Sequence, residues 1–334
     1  MKLAQIQLPL LTIVVASNTA SCIPSVNLIA GVDEAGRGPI AGPVVAAAVI
    51  LPEGCTIEGV RDSKKISEKK REILYDQILD VATSVGVGIV HEDDIEELNI
   101  LQATHRAMRL ALGRLLPQPE EALIDGRGLP DQVVKNRGII DGDDKIHAIS
   151  AASIIAKVSR DRIMRNYDLI FPEYGFAKHK GYGTAEHLFN LRNHLACPIH
   201  RKGFRPVGNH MPSLSHLKEN RLLGKWGERL AARELIRKGY TVLEMNYSAA
   251  PYGEIDVVAS ENDTVVFIEV KSAAQETLGG PEDQMNDSKL AKLYNAMNIY
   301  LSNNDSVSDS RFDLMTVRFG KERPKVNHYI NCLN

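Results

Sequence analysis

The alternation of apolar and polar positions divides the chain into strand-like and helix-like runs. Leu28 to Asp33 reads as a first strand, and Pro43 to Leu51, rich in Val, Ala and Ile, as a buried second one. Ser67 opens a helix to about Ala82, with Glu68 in its first turn. Val85 to Val90 predicts a strand. Asp94 begins a helical stretch, and Leu101 to Leu116 continues it up to Pro117. Ala122 to Asp125 is a short buried strand ending at Gly126, and Ile146 to Tyr167 one long helix broken before Pro172. Strands that alternate with helices make this an α/β region.

Periodicity lapses around Pro206 to Lys218, and a fresh pattern follows. A helix spans about Leu222 to Lys238 and stops at Gly239, a left-handed cap. Thr241–Asn246, Glu254–Ala259 and Val265–Lys271 read as strands, Lys289–Tyr300 as a helix and Arg311–Arg318 as a last strand. The expected organisation is an N-terminal extension (1–27), a first domain (28–210), a linker (211–220) and a smaller domain (221–334), with the two domains folding separately. A chain of 334 residues has room for both.

Composition changes this picture little. Hydrophobic residues make up 44% and charged residues 25%, ordinary for a globular protein, and a net charge of -2 excludes bulk basicity as a reason to bind nucleic acid. Locally, residues 157–205 hold ten Lys or Arg against four Asp or Glu, and residues 51–100 six against twelve. A basic face is one expectation, two ordinary solvated surfaces the other. Cys22, Cys55, Cys197 and Cys332 form no CxxC pair, so neither zinc site nor disulfide framework is expected, and a reducing cytoplasm fits. The apolar run Leu8–Ala16 faintly resembles an export signal but is too short to span a bilayer, so no membrane association is expected.

The densest chemistry is Gly31-Val-Asp-Glu-Ala-Gly-Arg-Gly-Pro-Ile-Ala-Gly-Pro43. Asp33 and Glu34 end an apolar strand, and the glycines of Gly36-Arg37-Gly38 permit close backbone approach to a sugar or phosphate. The glycine spacing does not fit a dinucleotide fingerprint. Asp125 ends a second buried strand, and Asp143 precedes the long helix. Carboxylates that converge at strand ends hold hard divalent cations through oxygen, and such ions support phosphodiester hydrolysis. His179, His187, His194 and His200 suit phosphate contacts or solvent better than a metal, Asp161 suits an ion pair with a nearby Arg, and His91-Glu-Asp-Asp94 suits a helix start.

This string closely resembles the ribonuclease HII signature. Asp62-Ser-Lys64, Ile124-Asp-Gly126, Ala151 to Asp161, His179-Lys-Gly-Tyr-Gly183 and Pro198-Ile-His-Arg201 agree in the same order. The resemblance covers about residues 28–210. It implies an RNase H-like mixed sheet flanked by helices. It also implies Mg²⁺- or Mn²⁺-dependent cleavage of RNA in RNA–DNA hybrids, and 5′ of single ribonucleotides in duplex DNA, leaving 3′-hydroxyl and 5′-phosphate ends. Carried over by position, Asp33, Glu34 and Asp125 would be the main metal ligands and Asp143 the fourth acid. Gly36, Arg37 and Gly38 would touch the ribose 2′-hydroxyl, Tyr182 would stack on the next sugar and Lys64 would contact phosphate. The chain departs from the family at Asp141-Gly-Asp143, where Lys-Gly-Asp is common.

In the second domain a turn at Asn262-Asp263 would set Asp256 opposite Glu269, with Lys271 on the same face, and Glu228 on the preceding helix close by. Two acids and an amine can hold a metal and orient water. A cross-strand charge pair is the plainer alternative. Residues 221–318 resemble the YraN-like family, which implies a smaller α/β, restriction-endonuclease-like PD-(D/E)xK fold. That domain is expected to be a metal-dependent DNA nuclease or else a non-catalytic binding module. The loop Ala273–Asp287 lacks the basic residues that strong DNA contact would need.

Overall fold

The computed structural model describes residues 28–61, 63–130, 134–219, 221–274, 287–304, 307–320 and 323–332. The N-terminal extension and most of the loop 273–287 lie outside the described residues.

The N-terminal part runs β1 (Ile29–Ala35), β2 (Val44–Ile50), α1 (Glu68–Val81), β3 (Ser84–Val90), α2 (Glu92–Leu98), α3 (Ile100–Gly113), β4 (Glu121–Asp125), β5 (Lys135–Ile139), α4 (Gly142–Lys145), α5 (His147–Ile170), α6 (Phe176–His179) and α7 (Ala185–His194). Its sheet has the order β3-β2-β1-β4-β5. β1, β2 and β3 pair antiparallel, while β4 and β5 run parallel to β1. β2 is buried along its whole length, as its unbroken apolar run requires of a strand covered on both faces. α3 seals one face, and α1 and α5 seal the other. α5 lies hard against β1 at Gly31, where an added Cβ would stand 2.2 Å from the Ala148 carbonyl carbon.

After α8 (Leu214–Glu219) and α9 (Leu223–Arg237) come β6 (Thr241–Ser248), β7 (Glu254–Glu261), β8 (Thr264–Ala274), α10 (Asp287–Ser302), β9 (Asp309–Phe319) and β10 (Lys325–Tyr329). They form a second mixed sheet of order β10-β9-β8-β7-β6, with β8 and β9 parallel. The whole is therefore an α/β protein with two mixed sheets. Gly239 takes the positive φ expected of the cap after α9.

Between the two sheets, the stretch 206–218 holds a 3-10 turn at Val207–His210 and the helix α8, and both Val207 and Leu217 are buried. The two sheets also pack on one another. One hydrophobic cluster runs from Val45, Val85 and Tyr167 into Leu235, Val242 and Val257. Polar contacts line the seam. The Asn166 side chain exchanges hydrogen bonds with the Val242 backbone (2.8 and 3.1 Å), Arg229 pairs with both oxygens of Glu173, and Arg237 pairs with Asp93 at 2.7 Å. The helix start at His91 to Asp94 lies under this seam, with Glu92 buried and its carboxyl pushed up by burial.

Ion pairs link the basic stretch to the acidic one. Arg162 and Arg165 bind Glu72, Lys180 reaches Glu68, and Lys202 reaches Glu96. Asp161 pairs with Lys157 at 2.6 Å and with Arg71 at 3.9 Å. Among the described residues, no helix is long and apolar enough to cross a membrane.

Candidate metal centre

Parallel pairing places the first acids. Val32 stands beside Ile124, so the next residues, Asp33 and Asp125, come level on neighbouring strands and face the same side. The chain then turns through β5 and re-enters at α4, whose first N–H groups point back at Asp125. Asp125 Oδ1 accepts from Gly142 N–H (2.8 Å) and Asp143 N–H (3.4 Å), which draws Asp143 to the pair. Ligand oxygens of Asp33, Asp125 and Asp143 all lie within 4.8 Å of one another. No other group of three or more His, Cys, Asp or Glu among the described residues meets that spacing.

Glu34 follows Asp33 and so alternates away from it. Its carboxylate meets Arg37 at 3.2 Å, and its N–H donates to Asp33 Oδ1 (2.7 Å). It stands beside the trio and feels the charge of Asp125. Burial, then the charges of Glu34 and Asp125, hold the Asp33 carboxyl well above the usual carboxylate range. Burial also raises Glu34, against the pull of Arg37. An all-oxygen donor set under mutual repulsion fits a hard divalent cation. Lys64 reaches Asp143 at 3.7 Å, Asp141 is exposed with a left-handed backbone, and Tyr182 is half exposed with its ring 3.8 Å from where a Gly38 Cβ would lie.

The histidines depart from expectation. His194 is exposed, but His179, His187 and His200 are buried in a ring cluster with Tyr174 and Phe176. Their partners fix every proton. His187 Nδ1 must donate to the Tyr182 carbonyl (2.9 Å), so His187 Nε2 accepts from His200 Nε2 (3.0 Å). His200 Nδ1 is then left to accept from the Cys197 N–H and thiol (3.0 and 3.1 Å). His179 donates to the Tyr174 carbonyl and accepts from Gly181 N–H. All three rings are neutral, and burial pushes His187 down to about 4 and His200 to about 3. They fasten the turn that carries Tyr182. Charge in a loop reads as surface in a sequence, so nothing local signalled this.

In the second sheet the hairpin register, Val257 against Ile268, sets Asp256 opposite Glu269. Asp256 Oδ2 accepts the Val270 N–H at 2.7 Å, and burial followed by the Glu269 charge pushes its carboxyl up to about 7. Glu269 is buried and bound by Lys271 and also by Lys289 of α10, which sequence reasoning missed because it comes from a distant helix. Glu228 is half-buried and raised by burial and by the charge of Glu254. A cavity of about 430 Å³ opens here, lined by Glu254, Asp256, Glu269, Ser288, Lys289 and Lys292 among others.

Comparison with known proteins gives two family matches. The ribonuclease HII family matches residues 30–207, and the uncharacterised protein family UPF0102 matches residues 227–317. The chain is similar to a ribonuclease HII of Acetivibrio thermocellus, 57% identical over 178 residues that make up 53% of this chain and 70% of that one. It is similar to one of Coxiella burnetii at 52% identity over 184 residues, 55% of this chain and 91% of that one. Among solved structures it resembles the ribonuclease H2 of Pyrococcus horikoshii, with 27% identity, a TM-score of 0.46, and coverage of 54% of this chain and 95% of that one.

Proposed function

Since this chain belongs to the ribonuclease HII family and is a ribonuclease H, a hydrolase of phosphodiester bonds, we propose that it cleaves RNA in RNA–DNA hybrids and 5′ of single ribonucleotides in duplex DNA, leaving 3′-hydroxyl and 5′-phosphate ends. The observation that carries the reading is the trio Asp33, Asp125 and Asp143, at ligand spacing on a sheet edge beside the Gly36-Arg37-Gly38 loop, which is exposed at Arg37 and Gly38. The three aspartates, with Glu34 beside them, would hold Mg²⁺ or Mn²⁺. When bound, such an ion supplies positive charge for the phosphate and lowers the pKa of water. The protein's own groups do the rest. Lys64 neutralises phosphate at the edge of the trio, the Gly36–Gly38 loop reads the ribose, and Tyr182 bears on the neighbouring sugar. The expected partners are RNA–DNA hybrid and ribonucleotide-containing duplex, in the cytoplasm.

For the second sheet, Asp256 and Glu269 at a cavity, with Lys271 and Lys289 on Glu269, support a metal-dependent DNA nuclease built on Glu228, Asp256, Glu269 and Lys271. A non-catalytic binding module is favoured by one observation: Lys271 and Lys289 both occupy Glu269.

Incubation with a duplex holding one ribonucleotide, with Mg²⁺, with Mn²⁺ or with chelator, followed by end mapping, tests the first reading. A cut elsewhere than 5′ of the ribonucleotide, or one that persists in chelator, overturns it. DNA cleavage by the parent that is lost in the Asp256→Ala, Lys271→Ala double variant would mark the second site as catalytic.

A further inference from the structure

Two arginines sit beneath the loop 36–43, each about 1% exposed. Buried cations ordinarily meet a carboxylate. Here the hydrogen-bond partners, among the described residues, are backbone carbonyls. Arg201 Nε donates to Gly42 O (2.8 Å), Nη1 to Arg37 O (3.1 Å) and Pro39 O (2.8 Å), and Nη2 to Gly36 O (2.6 Å) and Pro43 O (3.1 Å). A guanidinium has five N–H donors, and all five are matched by this one loop. Arg160 adds bonds to Pro43 O (3.0 Å) and Ala41 O (3.2 Å), and a third to Lys180 O (2.9 Å) that ties the loop to the turn bearing Tyr182. Gly36 lies so close over Arg160 that an added Cβ would stand 2.2 Å from its Nε, and its φ of +100° suits glycine.

Peptide planarity converts this grip into a surface property. A trans peptide points its C=O and N–H to opposite sides. With Gly36 O and Arg37 O turned inward onto Arg201, the N–H groups of Arg37 and Gly38 turn outward. Both residues are exposed, and neither N–H donates to a protein acceptor among the described residues. Adjacent outward amides above buried positive charge make a donor pair for an oxygen.

We propose that Arg201, braced by Arg160, is a positioning residue: its grip on the carbonyls of residues 36–43 aims the Arg37 and Gly38 amides at an oxygen of the bound ribonucleotide. The inference rests on the proposed ribonucleotide-directed activity, and the measurements keep the two apart. In the full-length parent, with chelator present, the Arg37 and Gly38 amide resonances should shift when a single-ribonucleotide duplex is added. A shift absent with the all-deoxy duplex identifies the 2′-hydroxyl as the oxygen, and a shift common to both identifies a phosphate. Binding without movement of these amides overturns the positioning role alone. No binding of either duplex overturns both proposals.

Arg201→Lys supplies three donors from one point and cannot serve five carbonyls. It should lower kcat on the embedded ribonucleotide at least about tenfold, since two misaimed hydrogen bonds cost that much or more. KM should change less, and Mn²⁺ affinity should stay at the parent's. A folded Arg201→Lys protein with parental kcat would contradict the proposal. If that variant does not fold, the amide shifts of the parent still decide.

Discussion

Asp125 has two duties that a single substitution separates. Its Oδ1 receives the first N–H groups of α4, and its charge joins that of Asp33. Asn keeps an oxygen for the N–H groups and loses the charge. Asp125→Asn should therefore lower turnover at least about a hundredfold, as removal of a group acting on transition-state charge does. In chelator its melting temperature should equal or exceed the parent's, because a like charge leaves the trio. A lower melting temperature in chelator would mean the carboxylate has a structural role that Asn cannot fill. The neutral histidines give a second residue-scale expectation. In the unfolded chain His187 and His200 take protons near 6.5, while in the folded chain they do so only at about 4 and about 3. Between those values the unfolded state binds more protons, so stability falls as pH drops from about 6.5 toward 4. His187→Asn should flatten that slope by about 1.4 kcal/mol per pH unit, one proton's worth, in urea titrations across the range. An unchanged slope would show that His187 titrates normally. The aspartates could be read from the sequence because a carboxylate at the end of an apolar strand is conspicuous. The histidines and Arg201 could not, because partners that bury them arrive from elsewhere in the chain.

At the scale of elements, α5 sets the geometry. Its first turns lie on β1 with no room for a side chain at Gly31, and they follow directly from α4, which carries Asp143. Gly31→Ala would press Cβ on the Ala148 backbone, which no rotamer can relieve. We expect about 3 kcal/mol of lost stability in urea unfolding and weaker Mn²⁺ binding as Asp143 moves with the helix. A variant as stable as the parent would show that α5 can slide. The long periodic elements were legible in the sequence to within a few residues: α1, α5, α9, β2 and the β7–β8 hairpin stand about where alternation puts them. β5, α6, α7 and β10 were not. β5 carries Lys135 and Arg137 on an exposed edge, and α6 has four residues, so neither shows a core-facing period. α5 also runs on to Ile170, past the polar Asp168. Its last turns are held by the second sheet, a contact no local window contains.

For the whole molecule, the seam between the sheets leads us to expect that the two parts do not fold separately. A chain ending near Ser215 would keep the trio but uncover the apolar surface of α5 and leave Asp93 and Glu173 without Arg237 and Arg229. It should melt well below the full chain and cleave only at low temperature. Equal melting temperatures would restore the separable picture. The full chain should unfold in one transition by far-ultraviolet dichroism and by fluorescence alike. Here the chain's single tryptophan acquires a use. Trp226 sits on α9, half-buried against the shared core, in the part that lacks the aspartate trio. If both sheets melt as one, any cation that settles on Asp33, Asp125 and Asp143 must delay the loss of Trp226 emission, although it touches nothing near the indole. A fluorophore in the second sheet's part of the chain would then weigh ions at the aspartate trio, and a titration of melting midpoint against Mn²⁺ or Mg²⁺ would rank them without any nucleic acid in the cuvette.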